Sequence, residues 1–243
     1  MLLERLQRPV RGVRIVHKDA IGNGTAGCVQ IVPMRQLTRQ DVQRLLARFD
    51  VGSELVVTSA LSQQERQAFL DVGFVEREAL HLLRHNLSNI APMPGHPTLK
   101  LRSGRRSDLN QVLTIDRGSF DDFWALDRES LIAARKATPV HRYIVATIDN
   151  RVVGYCVSGQ AGTSTFLQRL GVSTEHRRGG IGSILVIDAL RWAAEQGGAH
   201  MLVNTQEGNE RALALYESLN FNLVEEQLKV LEWPAGRSTQ EAP

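Results

Sequence analysis

The sequence predicts an α/β protein: a mixed sheet flanked by helices, preceded by a smaller α/β half-domain. Three observations predict it. Short apolar runs of strand length alternate with segments whose apolar residues recur at helical spacing. In the larger C-terminal part, strands are followed by a helix–strand–helix–strand run, the order of a mixed sheet. Between them, Pro92, Pro94, Gly95 and Pro97 crowd into six residues, which neither a helix interior nor a central strand accepts. This divides the chain into a half-domain at 1–85, a linker at 86–97 and a domain at 98–233. The polar, proline-bounded stretch 234–243 is expected to be a flexible tail.

In chain order, the half-domain has strands near Val13–Val16 and Cys28–Val32 and a helix over Arg39–Phe49. A strand at Leu55–Thr58, a helix at Gln63–Val72 and a strand at Phe74–Arg84 follow. In the larger part, Thr98–Arg102 alternates as a strand does, and Ser107 and Asp108 are placed to cap a helix running to Ile115. A second helix spans Arg128–Ala137. Tyr143–Ile148 and Val152–Val157 are strands joined by Asp149-Asn150, a two-residue hairpin turn. Ala161-Gly162 turns the chain again into a strand at Thr165–Val172. The helix from Gly180 to Gln196 carries Ile184, Ile187, Leu190 and Ala194 on one face, and Gly197-Gly198 stops it. Met201–Thr205 is a short strand, Asn209–Leu219 a helix, and Phe221–Trp233 one or two strands.

Composition excludes several classes. The 243 residues are 42% hydrophobic and 23% charged, which is neither disordered nor collagen-like. No run of about 18 apolar residues is present to span a membrane. Met1–Arg8 has no apolar core of signal-peptide length, so the expectation is a cytoplasmic chain. Two cysteines, Cys28 and Cys156, make neither a disulfide framework nor a four-cysteine zinc site, and the histidines form no metal-ligand cluster. Four of the 29 basic residues are lysine, so 25 are arginine, yet the formal charge is only +3. A balance this small does not argue for nucleic acid.

The two parts echo each other. Leu55-Val56-Val57-Thr58 lies on Leu202-Val203-Asn204-Thr205 at an offset of 147. The same offset puts Ser62 on Asn209, Phe69 on Tyr216 and Phe74 on Phe221. The register suggests duplication of one fold. The first copy has lost the tyrosine hydroxyl, and Pro33-Met34-Arg35-Gln36 stands where the second part has glycines.

Those glycines carry the chemistry. Leu170-Gly171-Val172 ends a strand, Arg177-Arg178-Gly179-Gly180-Ile181-Gly182-Ser183 opens a helix, and unpaired N–H groups at a helix start attract phosphate. Two arginines add charge beside them. The result is an anion cradle suited to a pyrophosphate. Gly22–Gly27 also matches a G-x-G-x-x-G pattern, but a strand rather than a helix follows it, so it is expected to be a hairpin loop.

Arg177-x-x-Gly180-x-Gly182 resembles the acetyl-CoA motif of the GNAT N-acetyltransferase superfamily. Asn209-x-x-Ala212-x-x-Leu215-Tyr216-Glu217-x-x-Asn220-Phe221 resembles its second motif. The resemblance covers Thr98–Trp233 and implies an acetyl-CoA-dependent N-acetyltransferase. It implies that backbone groups of Leu170 and Val172 hold the pantetheine arm, that the amides from Arg178 to Ser183 hold the pyrophosphate, and that Asn209 contacts the cofactor. Tyr216 becomes the general acid for the leaving thiolate. The acceptor is an amine, on a small molecule or a protein N-terminus.

The motifs look most like the branch that acetylates protein N-termini, including ribosomal-protein alanine acetyltransferases. That branch has a glutamate base where this chain has Asn204, which cannot take up a proton. Glu207, Asp121, Asp122 and His141 are the alternatives, with water relays. Phe120-Asp121-Asp122-Phe123-Trp124 is a candidate acceptor region, because acidic and aromatic groups receive a cationic amine. Asp121, Asp122, Trp124 and Asn204 are therefore the acceptor-site candidates. The other reading is a non-catalytic acetyl-CoA sensor. The chain is expected to be a monomer or a homodimer.

Overall fold

The computed structural model describes residues 11–18, 27–49 and 54–234. The start at Met1–Arg8, most of the Gly22–Gly27 loop and nearly all of the expected tail lie outside the described residues. The chain forms two compact units, Met1–His81 with Glu225–Pro243, and Leu82–Val224.

In the first unit, β1 (Val13–Lys18) pairs antiparallel with β2 (Cys28–Pro33), which runs parallel to β3 (Leu55–Thr58). Helix α1 (Arg39–Leu46) makes the crossover and α2 (Gln63–Leu70) leads to β4 (Val75–His85). Each helix starts on a capping box, Thr38 with Asp41 and Ser62 with Glu65, which satisfies two orphan amides reciprocally. Their apolar faces, Val42, Leu45 and Leu46 on one and Phe69 on the other, close over Val29, Ile31 and Val56. All four residues of β3 pair with β2, from Cys28↔Leu55 to Ile31↔Thr58.

The second unit takes the end of β4 and adds β5 (Lys100–Ser103), α3 (Leu109–Arg117), α4 (Arg128–Arg135), β6 (Val140–Ile148), β7 (Arg151–Ala161) and β8 (Ser164–Val172). It continues with α5 (Ile181–Glu195), β9 (His200–Gln206), α6 (Glu210–Ser218) and β10 (Asn222–Leu223). Strand order is β4–β9–β8–β7–β6–β5, with β10 on β4. Asp149 and Asn150 both have positive φ, 47° and 63°, the backbone of a tight two-residue hairpin turn. Side chains alternate across the sheet. Ile144 and Ala146 of β6 join the core under α5, while Tyr143 and Val145 join the core under α3 and α4.

One pairing is incomplete, and it positions the site. Strands β8 and β9 pair in parallel only from Ser164↔His200 to Phe166↔Leu202. Beyond that the two strands have no register partners in each other. The β7–β8 ladder shifts register where Val157↔Arg169 gives way to Ser158↔Leu167, leaving Gln168 extra. A bulge of this kind bends its strand, here where β8 leaves β9.

The two units repeat local geometry at the 147-residue offset. Ser62 caps α2 and Asn209 caps α6. The Phe69 and Phe74 rings are 5.2 Å apart, and those of Tyr216 and Phe221 are 5.5 Å apart. Phe74 N–H donates to Phe69 C=O, as Phe221 N–H does to Tyr216 C=O.

Three expectations change. The stretch 86–97 has no regular structure, but Leu87, Ile90, Ala91 and Met93 pack on the second unit's core. Prolines forbid helix and strand there without preventing burial, so it is a packed segment of that unit rather than a free linker. The last strand, β11 (Leu228–Glu232), pairs antiparallel with β3 and β4 in the first unit. Its Leu231, with the following Trp233, fills that unit's core. Asp108 does not cap α3 with its side chain. Its carboxylate takes two hydrogen bonds from Arg102, at 2.7 and 2.8 Å, and one from the Arg105 amide. These charge-assisted bonds hold its carboxyl below the usual range, Arg102 contributing most.

Candidate active site

The divergence of β8 from β9 opens a cleft of about 800 Å³. Its walls are the end of β8, the loop into α5, the start of α5 and one face of α6. The register sets which backbone groups face it. Ser173 N–H donates to Val153 C=O, so Gly171 and Tyr155 form the next hydrogen-bonded pair, and Leu170 and Val172 occupy the non-hydrogen-bonded positions against β7. Their N–H and C=O groups therefore point toward the open side, where β9 has departed.

The helix start supplies donors. Gly180 caps α5 at φ 77°, with open space where a Cβ would stand and no side-chain cap. Only glycine takes this conformation without strain. Among the described residues, the amides of Ile181, Gly182 and Ser183 have no hydrogen-bond acceptor, while Ile184 N–H returns to Gly180 C=O. Three free donors stand at the positive end of a 15-residue helix, an arrangement that attracts anions.

The two arginines of the loop differ. Arg178 is exposed, has φ 65° and lines the cleft with no ion pair or hydrogen bond among the described residues. Arg177 also lines the cleft, but its guanidinium donates to Val172 C=O and Gly118 C=O. It fastens the loop to the end of α3. Two adjacent arginines look alike in a sequence, and only the fold separates the tethered one from the free one.

Of the remaining cofactor candidates, Leu170, Gly171, Val172, Gly180, Ile181, Gly182, Ser183 and Asn209 line the cleft. Gly179 is exposed in the same loop but is not part of the lining. Asn209 uses its side-chain oxygen to accept the Ala212 amide at 3.2 Å. Ser119, Thr174, His176 and Arg211 also face the cleft and were not singled out from the sequence. Their positions depend on how α3, the loop and α6 converge.

Tyr216 lies outside this lining. It is 5% exposed and belongs to the core under α5. Its hydroxyl has no hydrogen-bond partner among the described residues. Burial pushes its pKa well above that of an ordinary phenol, with Cys156 nearby adding to the effect. Cys156 is itself buried on β7, and burial pushes its thiol up to about 12.

The acceptor candidates lie on the loop between α3 and α4 and on β9. Asp121 and Asp122 are exposed and Trp124 is half-buried. Asp121 accepts from the Trp124 amide at 3.0 Å and from Gln206 Nε2 at 3.3 Å. That second contact brings the loop to the free end of β9, where Asn204 is exposed two residues earlier on the same strand face. Glu207 follows Gln206 and is exposed. His141 is set apart. Its register partner is Gly159, which faces Phe166 at the closed end of β8 and β9. The sequence reading missed Asp116. It is fully buried and held by Arg169, the Tyr155 hydroxyl and the Leu126 amide.

The site is thus a mixed α/β sheet whose strands β8 and β9 part beside a glycine-led helix start. Residues 109–221 match the sequence model of the Acetyltransferase (GNAT) family. The N-acetyltransferase family 8 member 3 of Rattus norvegicus is 46% identical over 55 residues, which are 23% of this chain and 24% of that protein. The match thus spans about a quarter of the curated relative. Among solved structures, a GCN5-related N-acetyltransferase from Kribbella flavida superposes with a TM-score of 0.63 at 16% identity, over 97% of this chain and 95% of its own. A tandem GNAT protein from the clavulanic acid biosynthesis pathway gives 0.64 at 14% identity, over 93% and 79%. At these identities the likeness to the two structures is one of fold. Among the described residues, no helix is long and apolar enough to cross a membrane, and no cluster of three potential metal ligands occurs.

Proposed function

We propose that the chain transfers an acetyl group from acetyl-CoA to a primary amine by direct attack. The observation that carries the reading is the combination of three unpaired amides at the start of α5 with outward-facing backbone groups of Leu170 and Val172 on the open side of β8. A diphosphate on an extended amide-bearing arm fits both features. When bound, acetyl-CoA supplies the activated thioester.

The chain's residues then have separable tasks. The amides of Ile181 to Ser183 and the Arg178 guanidinium bind phosphate oxygens. Leu170 pairs with the arm as an added strand would, while the Val172 C=O is already held by Arg177 and Ser119. The Val172 N–H, preorganised by the ladder, donates to the oxygen on which negative charge grows as the amine adds. The amine nitrogen would form the new C–N bond as the C–S bond breaks, Tyr216 would donate its proton to the departing sulfur, and the nitrogen would release its second proton to solvent, from which the phenol is restored. A protonated amine must first lose a proton, and Asn204 cannot accept it. Solvent beside Asp121 and Glu207 at the open end of β9 is the proposed route.

In this reading the acceptor is cationic and enters along the loop bearing Asp121, Asp122 and Trp124. The first unit is a reduced copy of the same fold. All four residues of its β3 pair with β2, without the parting that opens β8 from β9. Thiol release from acetyl-CoA, measured across small amines, amino acids and peptide N-termini, tests the function. Turnover with any of them supports acetyl transfer. Saturable binding with no turnover for every amine favours the sensor reading instead, which the absence of a glutamate at position 204 motivates.

A further inference from the structure

The most buried ion pair among the described residues joins Arg169 of β8 to Asp116 of α3, with side chains 10% and 1% exposed. The pair is bidentate, Nε to Oδ2 at 2.8 Å and Nη2 to Oδ1 at 2.9 Å. Each partner also reaches the loop between α3 and α4. Arg169 Nη2 donates to Trp124 C=O at 2.7 Å, and its guanidinium lies 3.3 Å from the centre of the Phe120 ring. Asp116 accepts the Leu126 amide at 2.6 Å and the Tyr155 hydroxyl. The Tyr155 ring in turn fills the place a side chain at Gly171 would need, 2.6 Å from the ideal Cβ position.

A buried ion pair is weak evidence for stability, since apolar replacements are often as stable. The contacts here have a narrower result. Every bond that leaves the pair for the loop goes to main chain or to a ring face, so it fixes where the loop sits. The anchoring residue, Arg169, directly precedes Leu170, whose backbone faces the cleft. Arg177 and Ser119 tie the loop's beginning to Val172 in the same way.

We propose that Arg169 is a positioning residue that sets the acceptor loop, Phe120 to Trp124, relative to the cofactor strand and so governs amine binding rather than acetyl-CoA binding. This rests on the proposed acetyl transfer for its kinetic consequence, but not for its structural one. A lysine cannot make the bidentate pair and the Trp124 bond together, because it lacks the planar fork. Tyr155→Phe removes one hydrogen bond and keeps the ring against Gly171.

The experiment compares wild type, Arg169→Lys and Tyr155→Phe by hydrogen exchange and by steady-state kinetics with the best amine of the panel. Arg169→Lys is expected to speed exchange in 118–127 while α5 stays protected. It should also raise the amine KM about tenfold, the size of one charge-assisted hydrogen bond, with acetyl-CoA KM held within about twofold. Tyr155→Phe moves both readouts in the same direction by about two- to threefold. Unchanged exchange in 118–127 for Arg169→Lys overturns the proposal, as does an equal rise of both KM values. If wild type turns over no amine, acetyl transfer fails, and the exchange result alone decides the positioning role.

Discussion

Replacing Tyr216 by phenylalanine removes one oxygen and separates two roles that the sequence cannot. The ring is a core element, 5.5 Å from Phe221 and 5% exposed. At the matching place in the first unit, Phe69 packs on Phe74 in a similar contact without a hydroxyl. The Tyr216 hydroxyl gains no hydrogen bond from the protein, so its loss forfeits none and relieves a desolvation cost. Stability should change by no more than about 1 kcal/mol in either direction. Catalysis should respond differently. A positioned general acid contributes about 10²–10⁴-fold, so the lower bound is about 2.7 kcal/mol of barrier. The protonated phenol is the donor, and its raised pKa keeps it protonated through neutral and mildly alkaline pH. No alkaline loss of rate should therefore arise from this group below about pH 10. The assay is thiol release at saturating acetyl-CoA and amine, with thermal unfolding and acetyl-CoA affinity measured on the same preparation. A kcat reduced at least about a hundredfold, with melting and affinity near wild type, is expected. Wild-type turnover in Tyr216→Phe refutes the acid assignment and leaves Tyr216 a core residue.

Arg178→Ala should weaken acetyl-CoA binding by about tenfold with no change in melting, whereas Arg177→Ala should lower the melting temperature as well, because two carbonyls lose their donor; calorimetric titration and thermal scans distinguish them. His85 is buried against Phe221, and burial lowers its pKa below 6.5. The unfolded state then binds the extra proton, so its contribution is complete above about pH 6.5 and lost as pH falls below it. His85→Leu should flatten the slope of melting temperature between about pH 5 and 6.5. Asp121→Asn with Trp124→Ala should raise the amine KM and leave acetyl-CoA affinity intact; unchanged acceptor kinetics would remove that loop from the acceptor site.

Much of the fold was legible because its signals are local. Asp149-Asn150 demands a tight turn, Gly197 stops α5 at φ 73°, and strand alternation needs no tertiary context. The open helix start at Gly180 was legible for the same reason, since the glycines that lead it are contiguous with it. What escaped depends on distant partners. Pro92–Pro97 marks a break in regular structure, but burial of Leu87, Ile90 and Met93 follows from a core built elsewhere. Leu228–Glu232 alternates as a strand, yet its pairing with β3 and β4 crosses more than 140 residues of chain. Asp116 is one acid among many until Arg169, 53 residues on, is placed beside it. The difference between Arg177 and Arg178 rests on which carbonyls lie within reach.

The most direct test of the central claim is a calorimetric titration of acetyl-CoA into the wild-type chain and into Gly180→Asp. The substitution strains a position at φ 77° and puts negative charge among three free amides. One-site saturable binding to wild type, with none detectable in a folded Gly180→Asp, is the predicted result. Equal binding by both would contradict the assignment of the α5 start as the phosphate cradle.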